Sequence, residues 1–504
     1  MREPPLVIAN PVTGATLAEI TPASPGEVAA AIERGRLGQA SWSKLGFRAR
    51  ARLLRRFAGR LLRDDELLAT LMAENGKPRY EAEAIELFYT CELTRFLTGR
   101  RGRRALRDDV RRPFIFAHKR ARVVRHPHGV VGVIGPWNWP LLNNYADCVA
   151  PLCAGNAVVL KPSPLTPLTS LRVAELWKEE DLPDGVFQVL PGGQAVGEAL
   201  VEQADMIFFT GSQSAGRAVA RRCGERLVPC VLELGGKSPF VVLRDADLAS
   251  AARAAVWGSF ANSGQVCIRP ERVLVEEPAA DAFVKLCTAE MKRLRQGPSQ
   301  GVQDVDDGAT VDVGAMTWAP QVERIEAQIA DALAKGARLL AGGKRRHDLP
   351  GMFFEPTLLD RVTADMAIAR EETFGPVMAV QRVASAEEAV AIANGLGLGL
   401  SGAVFAGDAA RGRGIARSIE TGSLCINDVL VNYFCVEAPL GGVKGSGLGV
   451  RHGPEGLQQF CWVETIVEDA PILGLVSRTV SRLLGFPYQT RVLRLLRRLM
   501  RLLY

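Results

Sequence analysis

Several features that mark other classes of protein are missing from this chain of 504 residues. Its first residues lack the apolar segment of a signal peptide, and no uninterrupted apolar run reaches the length of about 18 that a membrane-spanning helix requires. Its ten cysteines form no CxxC pair and no cluster with histidine at metal-ligand spacing. We therefore expect neither a disulfide scaffold nor a metal site, and scattered thiols favour the cytoplasm.

Acidic residues are missing from the segment Ala470–Tyr504, which holds seven arginines and no lysine. The whole chain carries a formal net charge of +7, and without these arginines it is balanced. A balanced body argues against nucleic acid as a partner. On a helical wheel the arginines of 491–504 fall on one side, as in a helix that lies on an anionic membrane surface. The alternatives to membrane binding for this C-terminal segment are packing within the chain or an oligomer, and disorder. Pro487 separates this helix from a shorter piece, Leu473–Leu484.

The chain is long enough for two or more domains, and its pattern changes near residue 129. In the first hundred residues we predict helices, among them one long amphipathic helix from Phe47 to about Asn75. The Arg100–Arg104 cluster that follows is either a solvated loop or an anion-binding patch. Beyond residue 129, strand-like and helix-like runs alternate, which predicts a doubly wound parallel sheet with its ligand site at the carboxyl ends of the strands. A second α/β series begins near Lys237, and Gln296–Ala315 is predicted to be a loop.

Six short blocks of sequence stand out. In chain order they are Gly135–Pro140, Lys161–Pro164, Phe209–Ser212, Leu232–Pro239, Gly264–Cys267 and Glu371–Pro376. In this order and at this spacing they resemble the aldehyde dehydrogenase superfamily, and the resemblance extends from residue 5 to residue 466. The segment Gly449–Gly453 is somewhat like the branch that acts on fatty and aromatic aldehydes. One block alone would be weak evidence, whereas six in order are specific.

The resemblance implies an α/β fold with two doubly wound α/β domains and a β arm for oligomerisation, in a homodimer or homotetramer. The implied boundaries are a cofactor-binding domain at 1–116 and 131–236 with 428–457 packing back, a catalytic domain at 237–427, an arm at 117–130 and 458–468, and a basic tail at 470–504.

Oxidation of an aldehyde needs a nucleophile, a base and an oxyanion donor. Cys267 is the expected nucleophile: its sulfur adds to the carbonyl carbon, hydride leaves for the nicotinamide, and water cleaves the resulting thioester. Glu233 is the base expected to deprotonate that water. Asn138, together with the backbone N–H of Cys267, is the expected oxyanion donor. The alternatives are an inert thiol, an ordinary strand-end carboxylate and a turn asparagine.

The resemblance also implies NAD or NADP as the cofactor, with NAD slightly favoured. Lys161 is expected to contact the adenosine ribose, and backbone amides at the turn after Thr210 are expected to meet the pyrophosphate. Glu372 and Phe374 resemble the pair that holds the nicotinamide ribose and ring. The full set of expected cofactor contacts is Gly135, Pro136, Trp137, Lys161, Ser163, Thr210, Gly211, Ser212, Gly216, Leu234, Glu372 and Phe374.

Three positions depart from the commonest family pattern. Pro164 replaces a glutamate that would repel a 2′-phosphate, so NADP becomes more plausible. Leu440 replaces an aromatic residue, which predicts a thinner wall in the substrate tunnel, while Trp139 is either a tunnel wall or core packing. Arg451 replaces a glutamate, which weakens any proton relay there.

The leading hypothesis is irreversible oxidation of an aldehyde, with a medium-chain, long-chain or aromatic aldehyde as the favoured substrate. An acylating enzyme that uses coenzyme A is the first alternative, but such relatives typically lack the carboxylate of Glu233. A non-catalytic, membrane-associated scaffold of the same fold is the second alternative.

Overall fold

The computed structural model describes residues 3–299, 311–471 and 474–503. The chain divides into two compact units. The main unit comprises residues 1–105 and 128–460, and the arm unit comprises residues 106–127 and 461–504. Part of the predicted loop Gln296–Ala315 lies outside the described residues, as do Ile472 and Leu473 of the predicted tail.

The first sheet of the main unit has six strands among the described residues. The strand Val130–Ile134 lies at its centre and pairs in parallel with Ala157–Lys161 on one side and Met206–Gly211 on the other. The chain first adds strands on one side of this central strand and then returns to add strands on its other side. A doubly wound sheet opens its ligand crevice at this switch point. Across the sheet the order of strands is Gly447–Leu448, Cys230–Leu234, Met206–Gly211, Val130–Ile134, Ala157–Lys161 and Phe187–Val189.

The second sheet of the main unit has seven described strands, parallel except for one antiparallel edge strand. Its strands are short runs of buried valine, leucine and phenylalanine, as expected where helices cover both faces. The order is Arg338–Ala341, Thr357–Asp360, Val377–Val383, Arg272–Glu276, Pro239–Val242, Ala403–Phe405 and Cys425–Ile426. The predicted α/β class with two doubly wound sheets is therefore confirmed.

One predicted helix is wrong. The run from Phe47 to Asn75 forms two helices, Phe47–Leu61 and Asp65–Asn75. Asp64 causes the break because its side chain accepts a hydrogen bond from the backbone N–H of Leu67, which caps the second helix. Amphipathic periodicity continues across the break, so the hydrophobic pattern alone did not reveal it.

The other helices of the main unit connect the strands and cover the two sheets. They are Pro25–Lys44, Phe88–Leu97, Arg100–Ala105, Ala146–Ala154, Leu168–Glu179, Gln194–Gln203, Gln213–Arg226, Leu248–Phe260, Glu277–Met291, Ala319–Ala334, Ala367–Arg370, Ala386–Asn394, Ala409–Ser418, Val431–Phe434 and Gly453–Gln458. Short π-helical or 3₁₀ turns occupy Glu81–Leu87, Leu141–Tyr145 and Ala261–Gly264, and a two-stranded ribbon pairs Leu6–Ala9 with Thr16–Ile20.

The arm unit is built on an antiparallel sheet. Lys119–Pro127 pairs along its whole length with Cys461–Asp469, and the short strand Asp109–Arg111 lies on its other side. An ion pair between Lys119 and Asp469 at 2.6 Å crosses the long pairing, as does a hydrogen-bond contact between His126 and Glu464 at 2.9 Å. The two long strands overlap the segments predicted for the arm.

Two helices end the arm unit, Gly474–Leu484 and Thr490–Leu503. The second is the predicted basic amphipathic helix, and none of its described side chains is buried. None of the helices in the described part of the chain combines the length and apolar character that crossing a bilayer requires.

Candidate active site

Three of the sequence blocks meet at one edge of the first sheet. The central strand ends at Ile134 and runs directly into Gly135–Pro140. The neighbouring strand Met206–Gly211 ends within the block Phe209–Ser212, and Glu233 lies on the next strand, Cys230–Leu234. Parallel strands place their carboxyl ends side by side, so blocks far apart in the sequence become neighbours here.

Cys267 follows a tight turn between the helix Leu248–Phe260 and the second sheet. Asn262 and Ser263 have positive φ angles of 47° and 54°. Gly264 also has a positive φ, and a Cβ atom there would lie 2.1 Å from the carbonyl oxygen of Gly375, so only glycine fits. The turn therefore packs the loop of Cys267 directly against the block that carries Glu372 and Phe374.

Cys267 is half-buried and lies in the walls of two cavities. The first, the polar cavity, has a volume of about 370 Å³. The predicted site residues in its wall are Pro136, Trp137, Asn138, Thr210, Gly211, Ser212, Glu233, Leu234, Cys267, Glu372 and Phe374. Gln321, Arg324, Tyr433, Leu440 and Arg451 line it as well, although they were not predicted as site residues.

Four predicted cofactor residues do not contribute to the described lining of this cavity: Gly135, Lys161, Ser163 and Gly216. Lys161 is buried, and its ammonium donates hydrogen bonds to the carbonyl oxygens of Pro162 and Gly192, both at 2.9 Å. Burial lowers its pKa to about 8. A Cβ atom at Gly216 would lie 2.4 Å from the Leu234 side chain. Glycine there lets the helix Gln213–Arg226 pack closely on the strand that carries Glu233.

Glu233 is 5 % exposed, and its Oε1 atom has no hydrogen-bond partner among the described residues. Burial raises the pKa of this carboxyl to about 7, and the nearby carboxyl of Asp147 adds to the increase. The guanidinium of Arg451 lowers the pKa of Glu233, because its Nε atom lies 3.6 Å from Glu233 Oε1. A carboxyl with this pKa and a free oxygen is suited to accept a proton near neutral pH.

Arg451 is the most important residue that the sequence interpretation underrated. Its Nη1 atom donates hydrogen bonds to Asn143 Oδ1 at 2.9 Å and to the Tyr433 hydroxyl at 2.6 Å, and Nη2 donates to Thr210 Oγ1 at 3.2 Å. Nη1 also lies 3.3 Å from an oxygen of Asp147. The guanidinium is thus held in one orientation between two buried carboxyl groups.

The surroundings of Cys267 favour the neutral thiol. Burial raises the thiol pKa to about 12, and the carboxyls of Glu233 and Glu372 raise it further, whereas Arg451 lowers it. An unperturbed cysteine thiol, by contrast, is partly ionised at neutral pH. The difference arises because two carboxyl groups and an apolar wall surround the sulfur, which no single block of sequence indicates.

Asn138 is positioned from both sides. Its side-chain amide donates a hydrogen bond to the Gln265 carbonyl at 2.9 Å, so the amide is tied to the loop of Cys267. The main-chain carbonyl oxygen of Asn138 accepts hydrogen bonds from Lys77 Nζ at 3.1 Å and from Asn262 Nδ2 at 2.8 Å. Since a carboxamide has two N–H donors, one remains for a ligand in the cavity.

Glu271 clamps the block of Glu372 and Phe374, a role the sequence analysis missed. Its carboxylate is buried between Lys237 at 2.5 Å and Arg269 at 2.7 Å, and it accepts hydrogen bonds from the backbone N–H groups of Thr373 and Phe374, both at 3.1 Å. Because of these cations and donors, its pKa falls to about 2 despite burial.

Glu372 and Phe374 face the polar cavity from this clamped block. Glu372 accepts a hydrogen bond from the Gly236 backbone at 3.2 Å, and burial raises its pKa to about 7. A Cβ atom at Gly235 would lie 2.5 Å from the Glu372 carboxylate, so a side chain there would displace that carboxylate. Phe374 packs edge-on against Trp137 with the ring centroids 5.5 Å apart.

The second cavity, the apolar pocket, lies on the other side of Cys267. Its described wall contains no charged side chain; it consists of Ile85, Trp139, Leu142, Asn143, Trp257, Ala261, Val266, Cys267, Ile268, Leu430, Tyr433 and Phe434. Trp139 therefore lines the pocket and also packs in the core, with the Lys77 ammonium 3.8 Å from its ring centroid. Leu440 was expected in this wall, but it lines the polar cavity instead.

Comparison with known proteins agrees with this geometry. Residues 2–466 match the profile of the Aldehyde dehydrogenase family. The chain belongs to this family. A protein of Mycolicibacterium smegmatis named "Putative succinate-semialdehyde dehydrogenase", with NADP(+) in its name, is 37% identical over 464 residues, which is 90% of this chain and 87% of the relative. The 4,4'-diapolycopene aldehyde oxidase of Methylomonas sp. is 35% identical over 93% of this chain and 85% of the relative.

Solved structures of the family share the same fold. The Mycobacterium tuberculosis aldehyde dehydrogenase complexed with NAD+ has a TM-score of 0.85 and 34% sequence identity, covering 93% of this chain and 95% of that one. The family, the fold class and the enzyme class predicted from the sequence, an NAD(P)-dependent aldehyde dehydrogenase, are thus confirmed. Across the described residues, no group of three or more His, Cys, Asp or Glu side chains is arranged to hold a metal ion.

Proposed function

We propose that this enzyme oxidises an apolar aldehyde to a carboxylic acid through a thioester on Cys267, which is then hydrolysed by water that Glu233 activates. The supporting observation is the position of Cys267 in the walls of both cavities. Glu233 lies in the polar cavity, and the described wall of the apolar pocket has no charged group.

The polar cavity has features that fit NAD or NADP. Ser212 caps the N-terminus of the fourteen-residue helix Gln213–Arg226, and both Ser212 and Ser214 line the cavity, so the helix presents backbone N–H groups suited to a pyrophosphate. Trp137, Glu372 and Phe374 would hold the nicotinamide ribose and ring. When bound, the cofactor supplies a hydride acceptor. Pro164 leaves no carboxylate to repel a 2′-phosphate, so the choice between NAD and NADP rests on the test below.

The first chemical task of the protein is to form the carbon–sulfur bond. The Cys267 thiol releases its proton to water, its sulfur adds to the aldehyde carbon, and the carbonyl oxygen becomes an oxyanion that accepts hydrogen bonds from the free N–H of Asn138 and the backbone N–H of Cys267. Asn138 is suited to this role because the Gln265 carbonyl and Lys77 hold it in place from opposite ends. Once hydride has left, the carbon is a thioester.

The second task is hydrolysis. Glu233 accepts a proton from water, the hydroxide oxygen attacks the thioester carbon, and the carbon–sulfur bond breaks to release the carboxylic acid and the Cys267 thiol. The pKa of about 7 allows Glu233 to take up and return that proton near neutral pH. Its presence favours hydrolysis over transfer to coenzyme A.

Arg451 is proposed as a positioning residue for both tasks. It does not contribute to the described wall of the apolar pocket, but it lies beside Glu233 and its charge lowers the pKa of both Glu233 and Cys267. It therefore favours the ionised forms of the base and of the nucleophile. Asn143, Tyr433 and Thr210 fix its orientation.

The apolar pocket supports an uncharged substrate. A carboxylate taken into it would lose its hydration and find no cation in the described wall, which is costly. The amide oxygen of Asn143 is already occupied by Tyr433 and Arg451. Although several relatives are named for succinate semialdehyde, we propose a medium-chain, long-chain or aromatic aldehyde for this enzyme.

An aldehyde panel tests this proposal. Formation of reduced cofactor would be followed with nonanal, benzaldehyde, pentanal and succinate semialdehyde, with NAD and with NADP, and with and without coenzyme A. We expect turnover that does not depend on coenzyme A, with kcat/KM for pentanal about 100-fold above that for succinate semialdehyde because the carboxylate is unpaired. Faster oxidation of succinate semialdehyde would overturn the substrate class. A strict need for coenzyme A would favour the acylating alternative, and no turnover at all would favour the scaffold.

We also propose that the arm sheet joins subunits into a homodimer or homotetramer. Its strand Cys461–Asp469 exposes Trp462, Val463 and Val467, which is more apolar surface than an isolated sheet usually leaves uncovered. Light scattering on the purified protein should give a multiple of the 54.4 kDa chain mass. Replacing Val463 and Val467 with lysine should reduce that mass, and a wild-type monomer would refute the idea.

The tail is proposed to bind an anionic membrane surface. In Thr490–Leu503 the leucines are 41–83 % exposed, and the five arginines have no acidic residue beside them in the helix. Full-length protein should float with anionic liposomes and not with neutral ones, and deletion of 487–504 should abolish flotation. Replacing Leu495, Leu499 and Leu502 with serine keeps every charge and should also release the protein. Full-length protein that never floats would contradict membrane binding.

A further inference from the structure

Besides the polar cavity and the apolar pocket, the main unit has a cleft that is lined mainly by arginine side chains. Its volume is about 380 Å³, and its wall consists of Phe47, Arg48, Ala51, Arg52, Arg55, Thr98, Gly99, Arg100 and Arg103. No residue in this wall also lines the polar cavity or the apolar pocket. The cleft contains part of the Arg100–Arg104 cluster, for which the sequence left two interpretations open.

The arginines come from two helices that face each other across the cleft. Arg48, Arg52 and Arg55 are spaced i, i+4 and i+7 on Phe47–Leu61, so they form one stripe along that helix. Arg100 and Arg103 are spaced i, i+3 on Arg100–Ala105 and form the opposite wall. Five guanidinium groups therefore share one concave surface.

Two contacts fix the geometry of this surface. Arg55 donates hydrogen bonds from Nε to Thr98 Oγ1 at 2.7 Å and from Nη2 to the Thr98 carbonyl at 2.9 Å, and Thr98 itself is buried. Gly102 lies so close to the preceding helix that a Cβ atom there would be 1.7 Å from the Leu97 carbonyl oxygen. Glycine is thus required for the sharp turn that brings Arg100 and Arg103 over the cleft.

The charges in the cleft are uncompensated, unlike those beside it on the same helices. Arg56 pairs with Glu180 at 3.2 Å, Arg60 pairs with Asp64 at 3.0 Å, and Arg101 lies 3.8 Å from Glu437. No carboxylate belongs to the described wall of the cleft, and no ion pair among the described residues joins its arginines to an acid. Like charges at i, i+4 destabilise a helix slightly, so an anion in the cleft would relieve a repulsion that the fold leaves in place.

We propose that this cleft binds a phosphate-bearing anion with two or more negative charges. Planar guanidinium groups donate paired hydrogen bonds to phosphate oxygens, and two facing rows of them match a group with several such oxygens. The volume falls at the lower end of the range for small-molecule sites. A free polyphosphorylated compound and a phospholipid headgroup share this chemistry, and two probes separate them.

The test compares two double variants of the full-length protein that remove the same charge from the same two helices. The cleft pair is Arg52→Gln with Arg103→Gln, and the control pair is Arg56→Gln with Arg101→Gln. Titration calorimetry with sodium tripolyphosphate would be done with saturating NAD+ so that phosphate sites in the polar cavity are blocked. Co-sedimentation with vesicles of phosphatidylcholine and phosphatidic acid is the second arm, in which the tail contributes equally to both variants.

We expect the cleft pair to weaken tripolyphosphate binding by about tenfold or more, with the control pair close to wild type. The same difference seen only with vesicles would also support the site and would identify the headgroup as the source. Equal behaviour of the two pairs with both probes, or no binding of either probe by the wild type, would overturn the proposal. All four arginines are exposed or pair at the surface, so thermal unfolding should match wild type. Arg52→Lys with Arg103→Lys keeps the charge and should give intermediate affinity.

Discussion

The polar cavity and the apolar pocket meet at Cys267, and they offer a ligand different kinds of interaction. Around the polar cavity, Glu233, Glu372 and Arg451 are held by ion pairs and hydrogen bonds that tune their charge. In the apolar pocket, aromatic and aliphatic side chains offer surface and shape, and the described wall has no charge. The Cys267 sulfur therefore lies between a wall of apolar side chains and a wall that carries charged side chains.

This contrast separates two kinds of function within one site. In the apolar pocket, a substrate binds more tightly the more of its apolar surface is buried away from water. In the polar cavity, the pKa of a carboxyl such as Glu233 affects the rate at which it takes up or releases a proton. Changes on the apolar side should alter kcat/KM with substrate structure, and changes on the polar side should alter kcat with pH. Mutations can therefore be used to test whether the division holds.

Cys267→Ser removes the thiol, which lies in the walls of both cavities, so it should have the largest effect. The hydroxyl is far less acidic than a thiol, and kcat should fall by about 10⁴-fold or more, as when other enzymes lose their nucleophile. Reduced-cofactor formation measures this. Cys435→Ser, at an exposed thiol, is the matched control and should leave the rate unchanged. A Cys267→Ser enzyme with substantial activity would contradict the thioester.

Glu233→Gln affects only the polar cavity. Without the base, kcat should fall by about 10² to 10³-fold, but the first turnover should still occur and leave the acyl group on Cys267. Rapid mixing should show a burst of reduced cofactor, and mass spectrometry should show the acylated protein. Loss of the burst along with the steady-state rate would show that Glu233 is needed before hydrolysis.

Arg451→Gln tests the tuning of the base. Glu233 works when it is deprotonated, so the rate falls as pH falls through its pKa of about 7. Loss of the neighbouring cation should raise that pKa by about one unit, and the acid limb of the kcat profile should move to higher pH. Arg451→Lys keeps a positive charge and should restore the limb. A lower kcat with an unmoved limb would indicate a purely structural role for Arg451.

The apolar pocket should respond to chain length. Each methylene buried there contributes about 0.8 kcal/mol, so kcat/KM should rise about fourfold per methylene until the pocket is full. A series of straight-chain aldehydes from propanal upward measures the slope. Glu233→Gln should leave that slope unchanged, since Glu233 lines the polar cavity and not the apolar pocket. A flat series would mean that the substrate does not use this pocket.

Pro164→Glu should have the smallest effect, because it acts at the edge of the proposed cofactor site. Pro164 lies in a turn closed by a hydrogen bond from the Thr166 N–H to the Ser163 carbonyl at 3.3 Å. A carboxylate there should raise KM for NADP by about fivefold through repulsion of the 2′-phosphate, with little change for NAD. Pro164→Gln separates the charge from the loss of proline. Equal changes for both cofactors would place the 2′-phosphate elsewhere.

Much of the site could be predicted from the sequence because its chemistry is carried by short blocks with local geometry. Gly264 with Cys267, Glu233 with Gly235, and Asn138 after a strand each combine a reactive side chain with the glycine or strand end that positions it. Because parallel strands end together, alternating β and α patterns were enough to predict that these blocks meet. The α/β class followed from this alternation, whereas the enzyme class followed from the resemblance of the six blocks to the aldehyde dehydrogenase superfamily.

Other features were decided only by the tertiary structure. The break at Asp64 depends on one capping hydrogen bond. The surroundings of Lys161 depend on carbonyls of a neighbouring loop. Arg451 comes to lie beside Glu233 because a segment more than two hundred residues after Glu233 returns to pair with the strand of Glu233. Sequence determines which groups are present, but pKa values depend on burial and on charges a few ångströms away. Only folding brings those charges together.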